Sequence, residues 1–287
     1  MKIIQFNKFY NNFNIVSATL ILLSLTLLLF KGLNYGVDFK GGTLIEIRAE
    51  QNSLNISSIR DSFNQMNLGD VSVKSFGDKN DYIVKFEKQN SKDPKFIDNI
   101  KTKLESSIGK VDFRRVENVG PKVSAELLKS GIIAIALSLA AMLLYIWIRF
   151  EWQFSLGAIL ALFHDVILTL GIFSLFSLEI NLSIVAAVLT IVGYSMNDTV
   201  VIFDRVRENL KKYADIKIFE LTNISINETL SRTIITSITT LLALLSIYLF
   251  GGEILKGFSL AMILGVIFGT YSSIYIANPI LVMLTLL

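Results

Sequence analysis

The sequence predicts a polytopic α-helical membrane protein with six transmembrane helices and an α+β, ferredoxin-like (βαββαβ) exported domain between helices 1 and 2. Three observations predict it. Of 287 residues, 52% are hydrophobic and 18% charged, with a mean hydropathy of +0.57, whereas soluble chains run nearer a quarter charged. Six apolar stretches are long enough to cross a bilayer. Between the first and second lies a polar stretch of about 100 residues in which the hydrophobic period switches between strand and helix.

Composition also excludes chemistry. Without cysteine there are no disulfides, thiolate zinc sites, iron-sulfur centres or cysteine nucleophiles. A single histidine, His164, removes multi-histidine metal sites and leaves no Ser-His-acid set for an integral-membrane hydrolase. We therefore expect no enzyme, metal or cofactor. A net charge of +3, scattered along the chain, argues against nucleic acid as a partner.

The apolar stretches centre on residues 14–30, 131–148, 154–176, 180–202, 233–250 and 257–286. Most run about 18 to 25 residues, the length that spans ~30 Å of hydrocarbon as helix. The first follows Lys2 and Lys8 as a signal peptide would, yet Ile15 to Phe30 exceeds a signal core and no small-x-small cleavage site follows. It reads as a retained anchor. With the N-terminus cytoplasmic, the short inside segments hold Lys2, Lys8, Arg149, Arg205, Arg207, Lys211, Lys212, Lys217 and Arg232, against Lys256 alone outside. The positive-inside bias thus sets both termini in the cytoplasm. The expected domains are 1–30, cytoplasmic N-terminus and helix 1; 31–130, the exported domain; and 131–287, helices 2 to 6 with a cytoplasmic loop at about 203–232.

In the exported stretch, alternation at Leu44 to Arg48 predicts a strand, and Ile56, Ile59, Phe63 and Met66 a helix ending near Gly69. Strands at Val71–Phe76 and Tyr82–Glu87 flank a turn over 77–81, with Tyr82, Val84 and Phe86 inward. Asp93 and Pro94 suit the N-cap and first turn of a helix carrying Phe96, Ile97, Ile100 and Leu104 that Gly109 ends. A last strand covers Lys110 to Val116. This order is the split βαβ pattern. The domain has no histidine, no cysteine and no convincing acid pair, so it suits binding or mechanical work. Gly36-Val37-Asp38-Phe39-Lys40-Gly41-Gly42 resembles a phosphate loop superficially, but no Lys-Ser/Thr follows the last glycine. Gly41 and Gly42 instead predict a hinge, as do Gly120 and Pro121, after which Lys122 to Lys129 predicts a short amphipathic helix leading into the second span.

Charged side chains at membrane depth are costly and mark function by default. His164 and Asp165 fall at the middle of the third span, pointing about 100° apart on a helix. In the fourth, Asn197 and Asp198 follow Gly193-Tyr194-Ser195-Met196, with Asp198 roughly 9 Å from the helix centre toward the cytoplasm. The fifth opens on Arg232, whose face also carries Thr236, Thr239 and Thr240. These two spans run antiparallel, so Asp198 and Arg232 are expected at one depth and able to meet. Bland readings stand beside these. Arg232 suits a snorkelling interfacial anchor, Asp198 a packing carboxylate, and Asp165 a structural partner of His164. Arg149 and Glu151 flank a tight turn as anchors, and Asp204 to Lys212 alternates in sign as a solvated helix does.

Several blocks resemble one known family, the SecF subunit of bacterial protein export, within the resistance-nodulation-division superfamily. They are Gly36 to Thr43, Val119-Gly120-Pro121, Phe163-His164-Asp165, Gly193 to Arg205 with Arg207-Glu208-Asn209, and Leu230 to Ser237. The resemblance implies an inner-membrane, multi-pass protein with a periplasmic domain, working with a SecD-like subunit, the SecYEG channel and YajC on a translocating unfolded polypeptide. The energy source it implies is the proton-motive force. The family's proton-pathway Asp and Arg carry over to Asp198 and Arg232. The pattern departs at Ser124, where a glycine is usual, and the chain ends at Leu287 without the family's charged tail. Two other readings remain open here: half of a proton-driven small-molecule or ion exporter of the same superfamily, and a non-conducting structural scaffold.

Overall fold

The computed structural model describes residues 4–50, 55–69, 71–75, 80–87, 95–213 and 215–285. The turn expected at 77–81 lies mostly outside these residues, and the Asp93-Pro94 cap and Lys2 lie wholly outside. Two compact units divide the chain, residues 35–131 and residues 1–34 with 132–287.

The smaller unit opens with one helical turn, α2 (Val37–Lys40), after the first membrane helix, α1 (Tyr10–Phe30). Then follow β1 (Gly42–Ala49), α3 (Ile56–Asn64), β2 (Val71–Ser75), β3 (Asp81–Phe86), α4 (Phe96–Ile108) and β4 (Val111–Val119). The strands form one antiparallel sheet in the order β2-β3-β1-β4. Alternation places Ile45, Ile47 and Ala49 beside Val71, Val73, Tyr82, Val84 and Phe86 on one face, and Ile59, Phe63, Ile100 and Leu104 from the two helices close over them. Each such side chain contributes about 1.5–3 kcal/mol of burial. Asn55 caps α3 by accepting from the Ser57 amide at 3.1 Å, and Gly109 ends α4. β4 runs three residues beyond the expected Val116, because Val119 to Glu117 pair with Gly42 to Leu44.

The glycine pair is part of this sheet, which corrects the expected hinge. Gly41 (φ 80°) ends α2 and Gly42 (φ 140°) begins β1, both buried. A Cβ on Gly42 would sit 2.7 Å from the Phe86 carbonyl oxygen. Glycine is needed there for a close approach of two strands. At the other expected joint, Gly120 is the single residue between β4 and α5 (Pro121–Arg149). Pro121 takes the first helical position, where its missing N–H costs nothing. The expected short helix over Lys122–Lys129 is the first part of α5, with Ser124 buried and its hydroxyl donating to the Val37 carbonyl at 3.5 Å.

The larger unit contains α1, the remainder of α5, α6 (Trp152–Leu175), α7 (Leu182–Lys212), α8 (Ile218–Phe250), α9 (Glu253–Ser272) and α10 (Asn278–Thr285). Six helices among the described residues are long and apolar enough to span a membrane. α6 is the central one, its apolar window 67% buried against 11% for α1. The loop expected over 203–232 is mostly helix. α7 continues to Lys212 and α8 begins at Ile218, because their extensions bond to one another: the Asn209 amide donates to Ser225 Oγ (3.0 Å) and Glu228 Oε2 (2.7 Å), and Arg205 to Glu228 (2.7 Å).

The last span is interrupted. A π-turn, Ser273–Ala277, separates α9 from α10. Pro279 has no N–H for the Tyr275 carbonyl, and the Asn278 side chain donates to the Ser273 carbonyl at 2.6 Å. α6 meets this widened turn at Gly157, where a Cβ would stand 2.8 Å from the Ala277 oxygen.

Two outcomes follow for the smaller unit. Gly42→Ala is expected to destabilise it by about 2–4 kcal/mol, through strain at positive φ and the clash with Phe86, read as faster amide exchange across β1 and β3 in the solubilised full chain. The Arg48 guanidinium, 2.5 Å from Asp81, holds that carboxyl below the usual carboxylate range. Its stabilisation is therefore present above about pH 4 and lost as pH falls through the lowered folded value. Asp81→Asn should remove about 1 kcal/mol at pH 7, allowing for the solvent-screened guanidinium, and flatten the acid limb of an unfolding-versus-pH series.

Candidate functional site

The inner faces of α6, α7 and α9 meet around Asp165. Close approach is possible because α9 offers glycine there: a Cβ on Gly265 would fall 2.3 Å from Ile191, and one on Gly269 2.8 Å from Ser195. On α7, Ile191, Ser195, Asp198, Thr199 and Ile202 recur at three- and four-residue spacing and are all buried.

Asp165 is fully buried and His164 is 1% exposed. Three donors converge on the carboxylate. His164 Nδ1 lies 2.9 Å from Oδ1, while Ser195 Oγ and Ser272 Oγ donate to Oδ2 at 2.6 and 2.8 Å. An ionised carboxylate only accepts, so three donors from three helices satisfy it. The backbone carbonyl of Asp165 accepts from Thr169 at 2.8 Å. The sequence expectation that neighbouring His164 and Asp165 diverge by about 100° holds for the backbone, yet the side chains fold back and bond. His164 Nε2 is buried with no hydrogen-bond partner among the described residues, and its ring stacks on Tyr271 with centroids 5.8 Å apart.

Asp198 differs. It is 3% exposed, and among the described residues its Oδ2 is buried without a hydrogen-bond partner. The adjoining Ser237 and Thr270 hydroxyls are bonded to each other at 2.7 Å. One turn away, Thr199 Oγ1 and Ser273 Oγ are 2.8 Å apart. Arg232 lies within Coulombic reach of Asp198, but among the described residues the two form no ion pair, and Arg232 is exposed. That corrects the expected meeting. The inward face of α8 is Thr229, Thr233 and Ser237. Arg232 sits one residue, about 100°, off that face. Thr239 goes with it toward the outside, while Thr236 and Thr240 are half-buried. Thr236 and Thr239 bond their own helix, and Tyr194 Oη donates to the Thr236 carbonyl at 3.2 Å while lying 3.2 Å from Thr240 Oγ1, whose hydroxyl can donate to it. Asn197 is likewise exposed on α7.

The structure thus brings His164 and Asp165 together, places Asp198 on the same α7–α9 seam, and leaves Asn197 and Arg232 facing outward. Sequence reasoning missed Ser195, Thr270, Ser272 and Ser273 as members of the cluster. The run Thr270-Tyr271-Ser272-Ser273 followed by Asn278-Pro279 in an apolar span was the available signal.

This arrangement defines a class, multi-pass membrane proteins with a large polar domain after the first helix and buried acids in the bundle. Residues 99–286 match the family model for the SecD/SecF C-terminal region of protein export membrane proteins, and residues 26–53 match the SecD/SecF GG motif, which contains Gly41 and Gly42. The protein translocase subunit SecF of Rickettsia akari is 47% identical over 280 residues, covering 96% of this chain and 91% of its own length. That of Cereibacter sphaeroides is 44% identical over 277 residues, covering 93% and 85%. The structure of SecDF, a translocon-associated membrane protein from Thermus thermophilus, superposes with a TM-score of 0.88 at 34% identity over 99% of this chain. This chain spans 39% of that one. The chain belongs to the SecD/SecF family of protein export membrane proteins.

Gly269→Ala tests the seam. Its Cβ must displace Ser195 and with it one donor to Asp165, so about 1.5–3 kcal/mol of bundle stability should be lost, measured as a lower unfolding midpoint in detergent. Ser195→Ala, which removes the donor without the clash, should lose less.

Proposed function

We propose that this chain is an auxiliary subunit of the Sec protein translocase that, with a SecD-like partner, uses the proton-motive force to promote translocation across the bacterial inner membrane. The observation that carries this reading is the buried, unpartnered Oδ2 of Asp198. A carboxylate oxygen held away from water without a donor gains most from taking up a proton. Near it on α7, α8 and α9 lie the hydroxyl pairs Ser237–Thr270 and Thr199–Ser273, and where α6, α7 and α9 meet stands the fully bonded Asp165, so polar groups cluster where these helices pack. One charge crossing 100 mV is worth about 2.3 kcal/mol, enough to bias two helix packings more than about tenfold.

In this reading Asp198, Asp165 and His164 form the pathway, and the outward-facing Arg232 and Asn197 complete it against the SecD-like subunit. The sheet order and two covering helices support a ferredoxin-like domain within residues 31–130; the excess of Lys and Arg in the short loops on the other side of the membrane is what supports a periplasmic side for it and cytoplasmic termini. Gly120-Pro121 is the remaining joint by which that domain moves, with SecYEG and YajC as further partners and an unfolded polypeptide as cargo.

Asp198→Asn and Arg232→Met should each abolish the gradient-dependent stimulation of precursor translocation in reconstituted vesicles while the complex purifies at normal yield. Full stimulation in both variants would remove the relay. Lost stimulation with equally lost assembly would instead favour a scaffold.

A further inference from the structure

Helix α1 holds the bundle by a narrow seam. Its buried residues are Tyr10, Ser17 and Ser24, spaced by seven, while Ile15, Val16, Leu22, Leu23 and Leu29 are exposed. Ser24 packs on Gly171, where an added Cβ would meet its hydroxyl at 2.3 Å. Midway along, the seam is polar. Tyr271 Oη donates to the Phe13 carbonyl at 3.0 Å and lies 2.7 Å from Ser17 Oγ. A phenol has one proton, so Ser17 is the donor in the second bond. The ring of the same tyrosine is the one on which His164 stacks.

We infer that Tyr271 is a positioning residue that transmits the state of the His164–Asp165 pair to α1, the helix from which the chain enters the exported domain. The inference rests on the proposed protonation of the membrane acids. With Asp165 ionised, Nδ1–H of His164 donates to Oδ1 and the bare Nε2 faces no partner. A neutral carboxyl at Asp165 puts its own proton where Nδ1–H points. His164 must then shift its proton to Nε2, leaving a buried N–H unpaired, or turn its ring. Turning breaks the stack on Tyr271, and Tyr271 is bonded to α1 through both of its hydroxyl contacts. The groups facing the pair are Ser195 from α7, Ser272 and Tyr271 from α9, and Thr169 on its own helix. None of these is a charged competitor. Tyr271 also touches Tyr275 and Phe13 at 5.4 and 5.8 Å between ring centroids, so a displaced ring pushes directly on α1.

The test is a distance measured without translocation. The chain has no cysteine, so Leu22→Cys on α1 and Leu242→Cys on α8, both exposed, take spin labels in the full chain in lipid nanodiscs. Asp165→Asn mimics the neutral carboxyl. It should move the label distance by about 1–2 Å, the scale of helix shifts in switching proteins, and Tyr271→Phe, which keeps the ring but loses both bonds, should cut that shift by half or more. Ser17→Ala should act in the same direction and carries the test if Tyr271→Phe does not fold. An equal shift with and without the Tyr271 hydroxyl, or no shift on Asp165→Asn in the parent chain, would overturn the inference. A Tyr271-dependent shift in a chain that gives no gradient-dependent stimulation would uphold it and overturn the export reading instead.

Discussion

A carboxylate with no access to water organises the membrane unit. Burying an ionised group costs several kcal/mol after relaxation unless bonds replace its hydration, and Asp165 recovers them from His164, Ser195 and Ser272 on three helices. Those bonds close only if α6, α7 and α9 approach more nearly than ordinary side chains allow. The glycines at 157, 265 and 269 are the structural consequence, each standing where a Cβ would strike a neighbouring helix. Without a hydrophobic force between helices in lipid, such small-residue contacts and shared polar bonds are what hold a bundle together.

The same constraint accounts for the broken last span. A regular helix through residues 269–279 would present its serines at 100° intervals, and Pro279 would leave a carbonyl unpaired. The π-turn at Ser273–Ala277 changes that register. Ser272 and Tyr271, the last residues of α9, bond Asp165 and reach α1 from before the turn, while within it Ser273 meets Thr199 and Tyr275 packs on Tyr10 of α1. Irregular backbone at membrane depth is tolerated where protein surrounds it. Here Asn278, fully buried, supplies the donor that the widened turn needs.

Much of this was legible in residue order. Length and hydropathy located the six spans, and alternation of period located the four strands and the two longer helices of the polar unit to within a few residues, but not the helical turn at Val37–Lys40. Position alone singled out Asp165 and Asp198, since a charge in the middle of an apolar run has few cheap explanations. Three things were not legible. Glycine pairs read as hinges because flexibility and close approach use the same residue, and only the Phe86 carbonyl facing Gly42 distinguishes them. The rotation of α8 placed Thr233, not Arg232, inward, a difference of one residue that a polar stripe at helical spacing does not resolve. A π-turn breaks the 3.6-residue period that sequence reading relies on, so the residues from Ser273 onward carried no periodic signal.

The two buried acids are consequently unlike in kind. Asp165 is over-determined, bonded through both oxygens to three elements, and any change in its state must be answered by movement of at least one of them. Asp198 is under-determined: among the described residues its buried Oδ2 has no hydrogen-bond partner, and the Ser237 and Thr270 hydroxyls beside the carboxyl are also bonded to each other. An under-determined acid changes state at little structural cost, whereas an over-determined one converts a change of state into displacement. A machine that turns a proton gradient into mechanical work needs both properties, and here α6 carries the over-determined acid and α7 the under-determined one, with α9 packed against both helices.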